Sequence, residues 1–159
     1  MTSHLQLATN AVMLVLAATL TAACGGRTSA PGPVTDGEAA GASWSGHLLS
    51  RGNLLISGNG VIMPSGEDNE MVVVISLQGP PSVSVALGWR LERGLCSSPG
   101  ILVGRPGDYP PVIIRADGTG ESTATVAEPV PTGGTFSIRV FSSQSPGSAL
   151  LACGDLSMG

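Results

Sequence analysis

The chain contains no lysine, and charged residues make up only 11% of its 159 residues. Its seven basic residues are all arginine, and the formal net charge is −4. Proteins that bind DNA or RNA neutralise phosphates with a concentrated basic surface. This composition therefore argues against nucleic-acid binding, and the scattered acidic residues do not form an acidic interaction tail.

Histidine is also scarce, since His4 and His47 are the only two. His4 lies in the N-terminal segment that we interpret below as a signal peptide, so His47 is the one imidazole expected in the mature domain. Ser-His-Asp catalysis and the usual zinc and copper sites depend on imidazole. We therefore predict that the protein is not an enzyme and needs no cofactor, and that Ser97 and Ser98 are not nucleophiles.

The longest uncharged apolar run, residues 11–23, is too short for a membrane-spanning helix, which needs about 20 apolar residues. Small residues end the run immediately before Cys24, as at a secretory cleavage site. The segment from Leu20 to Cys24 resembles the lipobox of bacterial lipoproteins. That resemblance implies a signal peptide over residues 1–23, a lipidated Cys24 and attachment to the outer face of the cell membrane. A plain secretory signal and a short membrane anchor are the alternatives.

The next segment, up to residue 42, lacks apolar periodicity and consists mainly of Gly, Ala, Pro, Ser and Thr. Such a segment cannot bury enough surface to fold. We therefore expect residues 24–42 to form a flexible linker that carries the lipid at its start. Residues 43–159 are then one folded domain, large enough to hold its own core.

Within this domain, 23 Gly and 12 Pro over the whole chain indicate many turns. Residues 82–91 alternate between apolar and polar, and the β-branched run 71–77 is typical of a strand that is buried on both faces or tightly sandwiched. Gly58-Asn59-Gly60 predicts a hairpin turn, and Asp117-Gly118 predicts another turn. Further strands are predicted at 43–50, 53–57, 61–63, 112–116, 121–126, 136–141 and 150–156. About eight short antiparallel strands indicate an all-β domain, a β-sandwich or Greek-key barrel.

The cysteines are consistent with export. If Cys24 carries lipid, Cys96 and Cys153 remain as one even pair in an extracytoplasmic domain. We therefore predict a disulfide between them, and two free buried thiols are the alternative.

The segments around these two cysteines, Trp89–Gly100 and Ala152–Leu156, resemble regions of copper–zinc superoxide dismutases. They are even more similar to the non-enzymatic relatives of those enzymes, the CHRD-type domains. Weaker counterparts lie between them, at Gly107–Pro111 and Ala116–Gly120. The resemblance implies an eight-stranded Greek-key barrel with one intradomain disulfide.

The same resemblance does not imply dismutase activity. The family's histidine ligands would fall at Trp89, Leu91 and Phe141 and near Arg105. Only Asp108 matches a ligand position, that of the zinc carboxylate. We therefore expect a non-catalytic, membrane-anchored module of the cell envelope with a binding or structural role, whose partner is an envelope protein or a cell-wall component.

The alternative function is a degenerate metalloprotein that binds copper or zinc through His47, Asp108 and the methionines Met63 and Met71. The acidic cluster of Glu67, Asp68 and Glu70 lacks the spacing of an EF-hand and is interpreted as a solvated loop. The polar residues Arg90, Glu92 and Arg93 are interpreted as the solvated face of a strand, with presentation to a partner as the alternative.

Overall fold

The computed structural model describes residues 42–81 and 84–159. The predicted signal peptide, Cys24 and the linker up to residue 41 lie outside the described residues, as do residues 82 and 83 of the predicted strand 82–91. In the described part, no helix has the length and hydropathy needed to span a bilayer.

The described residues form nine β-strands and one 3₁₀ turn, Pro106–Asp108. The strands are β1 (Trp44–Ser50), β2 (Ser57–Pro64), β3 (Met71–Gln78), β4 (Val85–Arg93), β5 (Ile101–Leu102), β6 (Val112–Ile114), β7 (Thr119–Val126), β8 (Phe136–Phe141) and β9 (Leu150–Met158). The prediction of an all-β domain is confirmed. The predicted strand 53–57 is wrong, because all but its last residue lies in the connection between β1 and β2, and β5, which has only two residues, was not predicted.

The strands form one antiparallel sheet in the order β5-β4-β8-β9-β1-β2-β3-β7, and β6 pairs with β4. A tight turn joins β6 to β7, because the Arg115 N–H donates to the Thr119 carbonyl at 2.8 Å. The two ends of the strand order therefore meet, and the sheet curls back on itself like a barrel. This curled sheet agrees with the predicted β-sandwich or barrel, with β6 paired to β4 and β7 paired to β3.

The core fills the inside of the curled sheet with alternate residues of the strands. On β3, Val73 and Ile75 are buried, whereas Val74 is only half-buried and Ser76 is exposed. The prediction that this strand is buried on both faces is therefore wrong, because its outer face meets solvent. At one end of the core, the rings of Trp44 and Phe136 pack edge to face with their centroids 5.1 Å apart.

The predicted hairpin at Gly58-Asn59-Gly60 is also wrong. These residues lie inside β2 and pair with both β1 and β3, and the connection between β1 and β2 lies at residues 51–56. A Cβ on Gly58 would overlap the Ser76 carbonyl oxygen, and a Cβ on Gly60 would overlap Ile138 Cδ1. The glycines therefore permit close approach within the sheet rather than a turn.

The turn predicted at Asp117-Gly118 is confirmed. Gly118 has a φ of +84°, a conformation that favours glycine. The Thr119 N–H donates to Asp117 Oδ1 at 2.9 Å, and the Thr119 hydroxyl lies 2.8 Å from the same oxygen. These bonds hold the pKa of the exposed Asp117 carboxyl below its ordinary 3.8, since they stabilise the charged form.

Candidate functional site

A groove of about 520 Å³ lies on the outer face of the sheet, over β1, β2, β3 and β7. We call it the outer groove. Its outward-facing side chains are polar apart from one leucine: His47, Leu49, Ser57, Asn59, Ser76, Gln78, Arg115, Thr119 and Glu121.

The strand register arranges these side chains in two rows that cross the strands. In the first row, His47 pairs with Asn59, Asn59 with Ser76, and Ser76 with Glu121. The second row is Ser57, Gln78 and Thr119. Because neighbouring strands lie about 4.8 Å apart, the first row extends over roughly 14 Å. Every member of both rows is exposed.

Glycine occupies inward positions beneath the groove. Gly58 and Gly60 on β2 and Gly120 on β7 carry no side chain that would hold their strands away from the core. A Cβ on Gly120 would lie 2.7 Å from Ile114 Cδ1, which is too close for real atoms. At these points the neighbouring atoms occupy the space that a Cβ would need, so the glycines permit close packing beneath the groove.

Several side chains of the groove are available to a ligand. His47, Asn59 and Glu121 make no side-chain hydrogen bond or ion pair with any other described residue. The backbone groups of β1, β2 and β3 are already used, because each of these strands has neighbours on both sides. Recognition in the groove must therefore come from side chains.

A second polar cluster lies on the outer side of β4. Trp89 and Leu91 face the core, and the Trp89 indole N–H donates to the Pro110 carbonyl at 2.7 Å. Arg90 and Glu92 face outward, as the alternation of a strand requires. The family's histidine ligands would fall at positions 89 and 91, whose side chains point into the core here. On this part of β4, only the side chains at positions 90 and 92 point to the outer surface.

Those two outward positions hold an ion pair instead. Arg90 Nε lies 2.6 Å from Glu92 Oε1, and the Arg90 guanidinium stacks over the Phe141 ring at 4.4 Å from its centroid. Glu92 is only 2% exposed. The prediction of a solvated face is therefore wrong for Glu92, which is buried because cationic and amide groups surround it.

Arg139 on β8 completes this cluster and was not singled out by sequence reasoning. Its Nε lies 2.9 Å from Glu92 Oε2, although its N–H is poorly aimed at that oxygen, so charge attraction dominates the contact. Its Nη2 donates to the carbonyls of Leu95 and Ser98. The Gly100 N–H also donates to Glu92 Oε2, at 3.0 Å. The cluster thus holds the loop after β4 at several points.

The same loop carries the predicted disulfide, which is confirmed between Cys96 and Cys153. Their Cα atoms lie 5.9 Å apart, within the normal range for a disulfide. The Cys96 N–H donates to Asp155 Oδ1 at 2.6 Å, so β9 holds the loop both covalently and through a hydrogen bond.

Arg93, by contrast, forms an exposed ion pair with Glu128 at 3.1 Å.

Tyr109 is an ionisable group whose side chain is buried. It is 2% exposed, and its hydroxyl donates to the Val103 carbonyl at 2.6 Å. Burial raises the pKa of this phenol well above its ordinary 10.0, and the charges of Asp108 and Glu128 raise it further. A backbone hydrogen bond at Leu91 opposes the shift without cancelling it.

The residues considered for metal binding lie in different surroundings. His47 lies in the outer groove, Met63 is exposed near the end of β2, and Met71 is buried in the core. Asp108 accepts a hydrogen bond from the Arg105 N–H at 2.8 Å. Within residues 42–81 and 84–159, no three His, Cys, Asp or Glu side chains form a group that could hold a metal ion.

The acidic cluster lies in the loop between β2 and β3. Glu67 and Asp68 are exposed, and the Ser65 hydroxyl lies 3.1 Å from Glu70 Oε2. The loop thus has the solvated surroundings that the sequence suggested.

The side chains of the outer groove can both donate and accept hydrogen bonds. Amides supply N–H donors and a carbonyl acceptor, and hydroxyls supply both functions. Its formal charges are one cation, Arg115, and one anion, Glu121. The chain as a whole matches no family model, no curated protein and no solved structure.

Proposed function

We propose that this protein is a non-catalytic binding module of the cell envelope, anchored at the outer face of the cell membrane through lipid on Cys24. The observation that carries the proposal is the outer groove. Its volume of about 520 Å³ lies within the range of about 300–1,000 Å³ that is common for ligand sites. It also holds polar side chains that have no described partner within the protein.

The chemistry of the groove favours binding without catalysis. A nucleophilic hydroxyl needs a neighbouring base that is itself held by a third group. His47 is the one imidazole of the described domain, and no described side chain hydrogen-bonds to it. The serines of the groove therefore have no oriented base to activate them.

The position of the protein in the cell is inferred from its sequence. The lipobox-like segment before Cys24 supports the anchor, and the composition of residues 24–42 supports a flexible tether. The Cys96–Cys153 bridge agrees with this, because disulfides persist mainly outside the cytoplasm. Each acyl CH₂ buried in the bilayer contributes about 0.8 kcal/mol, so several chains are sufficient for stable attachment.

The anchor is tested by fractionating cells that express the full chain or its Cys24→Ser variant. The full chain should sediment with membranes, and the variant should appear in the soluble or secreted fraction. Equal membrane retention of the two proteins would overturn the lipid anchor.

Binding is tested by sedimenting the full chain with purified cell-wall material from its host. A double variant, Asn59→Ala with Gln78→Ala, removes one amide from each row of the groove. Thr125→Ala is the matched control, because Thr125 is also exposed on β7 but lies outside the groove. Co-sedimentation of the full chain and the control, but not of the double variant, supports the proposal. Failure of the full chain to bind would overturn cell-wall recognition by the groove.

A further inference from the structure

We infer that the ligand of the outer groove is a neutral, linear carbohydrate chain that lies across the strands. This inference rests on the proposed function and names its ligand class. Three features of the groove carry it: its charge, its hydrogen-bonding groups and the direction of its rows.

The charge of the groove matches an uncharged ligand. Arg115 and Glu121 carry opposite charges, and the other outward side chains are uncharged when His47 is neutral. A polyanion would need several cations, as seen at phosphate-binding surfaces. A polycation would need several carboxylates. The groove offers neither.

The hydrogen-bonding groups match a ligand that is rich in hydroxyls. Asn59 and Gln78 carry amides, and Ser57, Ser76 and Thr119 carry hydroxyls. Both kinds of side chain donate and accept. A sugar hydroxyl also donates and accepts, so such groups can pair with it in either sense. At the β1 end, Leu49 is 64% exposed and offers an aliphatic surface to the C–H face of a sugar ring.

The direction of the rows favours a chain with a regular repeat. The first row places one polar side chain on each of four adjacent strands, which lie about 4.8 Å apart. A linear polysaccharide advances by a similar distance with each sugar. Successive sugars would therefore meet equivalent positions on successive strands.

A peptide is a poorer match for the same groove. Peptides commonly bind sheets by adding a strand to a free edge, where backbone groups supply the affinity. Beneath the groove, β1, β2 and β3 each have two neighbours in the sheet. Their backbone groups are engaged in the ladders, so no such edge is present at the centre of the groove.

The inference is tested by isothermal titration of the full chain in detergent with three probes of similar length. These are a neutral N-acetylglucosamine tetramer, an acidic galacturonate tetramer and an uncharged tetrapeptide. The neutral sugar should bind most tightly. The double variant Asn59→Ala with Gln78→Ala should weaken its binding about tenfold or more, since two hydrogen bonds are lost. Thr125→Ala should leave it unchanged, and circular dichroism should show that both variants are folded.

The outcomes separate the ligand class from the proposed function. If the acidic sugar or the peptide binds more tightly than the neutral sugar, the inference of a neutral carbohydrate ligand falls and a binding role for the groove stands. If cell-wall material binds through the groove residues but none of the probes binds, the inference in this form also falls alone. If neither cell-wall material nor any probe binds, the inference and cell-wall recognition by the groove fall together.

Discussion

Glu92 and Arg139 form an ion pair that is almost completely shielded from water. Glu92 Oε2 lies 2.9 Å from Arg139 Nε, and the two side chains are 3% and 11% exposed. Removing one partner of a buried pair leaves the other charge without compensation, which typically costs more than the pair contributes. We expect Glu92→Gln to lower the free energy of unfolding by about 3 kcal/mol, measured from urea transitions.

The control for this prediction is Glu128→Gln. Glu128 pairs with Arg93 at 3.1 Å, but these side chains are 35% and 58% exposed. Solvent screens such a pair, so its loss should cost less than about 1 kcal/mol. Equal destabilisation by the two substitutions would show that burial of Glu92 has no energetic consequence.

Tyr109 should remain protonated in the folded protein at a pH where a free tyrosine is ionised. It is the only tyrosine, so tyrosinate absorbance reports on it alone. In urea the absorbance should rise near pH 10, and in the native protein it should stay low beyond that point. A native titration curve that matches the unfolded one would contradict the burial of this hydroxyl.

The same group should make stability depend on alkaline pH. Its pKa is raised in the folded state, so the unfolded chain releases the proton first as the pH rises. Tyr109 therefore does not change the free energy of unfolding below about pH 10. Above that pH it lowers this free energy, by up to about 1.4 kcal/mol per pH unit. Tyr109→Phe should remove this dependence, although the variant loses the hydrogen bond to Val103.

Opening the disulfide should weaken the fold considerably. Cys96 and Cys153 are separated by 57 residues, and closing a loop of that length is expected to contribute roughly 4 kcal/mol in the chain-entropy model. We expect Cys96→Ser with Cys153→Ser to lower the unfolding free energy by about that amount. Mass analysis without reductant should show the bridge in the parent protein, and a reductant should lower the melting temperature of the parent but not of the variant.

Gly58 should tolerate no side chain, because a Cβ there would overlap the Ser76 carbonyl oxygen. A backbone atom cannot move aside as a flexible side chain can. We expect Gly58→Ala to cost about 1–3 kcal/mol, as other overpacked sites do. Gly133→Ala is the control, since a Cβ at Gly133 meets nothing within 4 Å. Thermal melts of the two variants give the comparison, and similar melting temperatures would contradict the close approach of β2 and β3.

The predictions that succeeded depended on local patterns. The alternation of apolar and polar residues placed Trp89 and Leu91 on the core side of β4, and Asp117-Gly118 predicted the turn between β6 and β7. Both signals arise from residues that are neighbours in the sequence. The glycines of β2 were misassigned for the opposite reason. A Gly-Asn-Gly segment looks the same in a turn and in a close approach, and only residues on other strands, Ser76 and Ile138, distinguish the two.

The polar sites were harder to predict than the strands. Glu92 is buried because the register of β4 and β8 places Arg139 near it, and nothing in the sequence around either residue indicates that pairing. The rows of the outer groove likewise depend on a distant pairing, because β1, β2 and β3 follow one another in the chain but β7 comes about 40 residues after β3. Among the groove residues, the sequence indicated a functional role only for His47, and that role was metal binding.

The pairing of β1 with β9 has a consequence for how the chain folds. This ladder joins the first and last strands of the domain, and its register includes Leu49 opposite Cys153. Contacts between such distant segments form slowly, because the entropy of closing the intervening loop must be lost first. Oxidation of Cys153 onto the Cys96 loop shortens that search, since it ties β9 to the loop after β4 and so reduces the length of chain that must close. The bridge should thus accelerate refolding as well as stabilise the folded state.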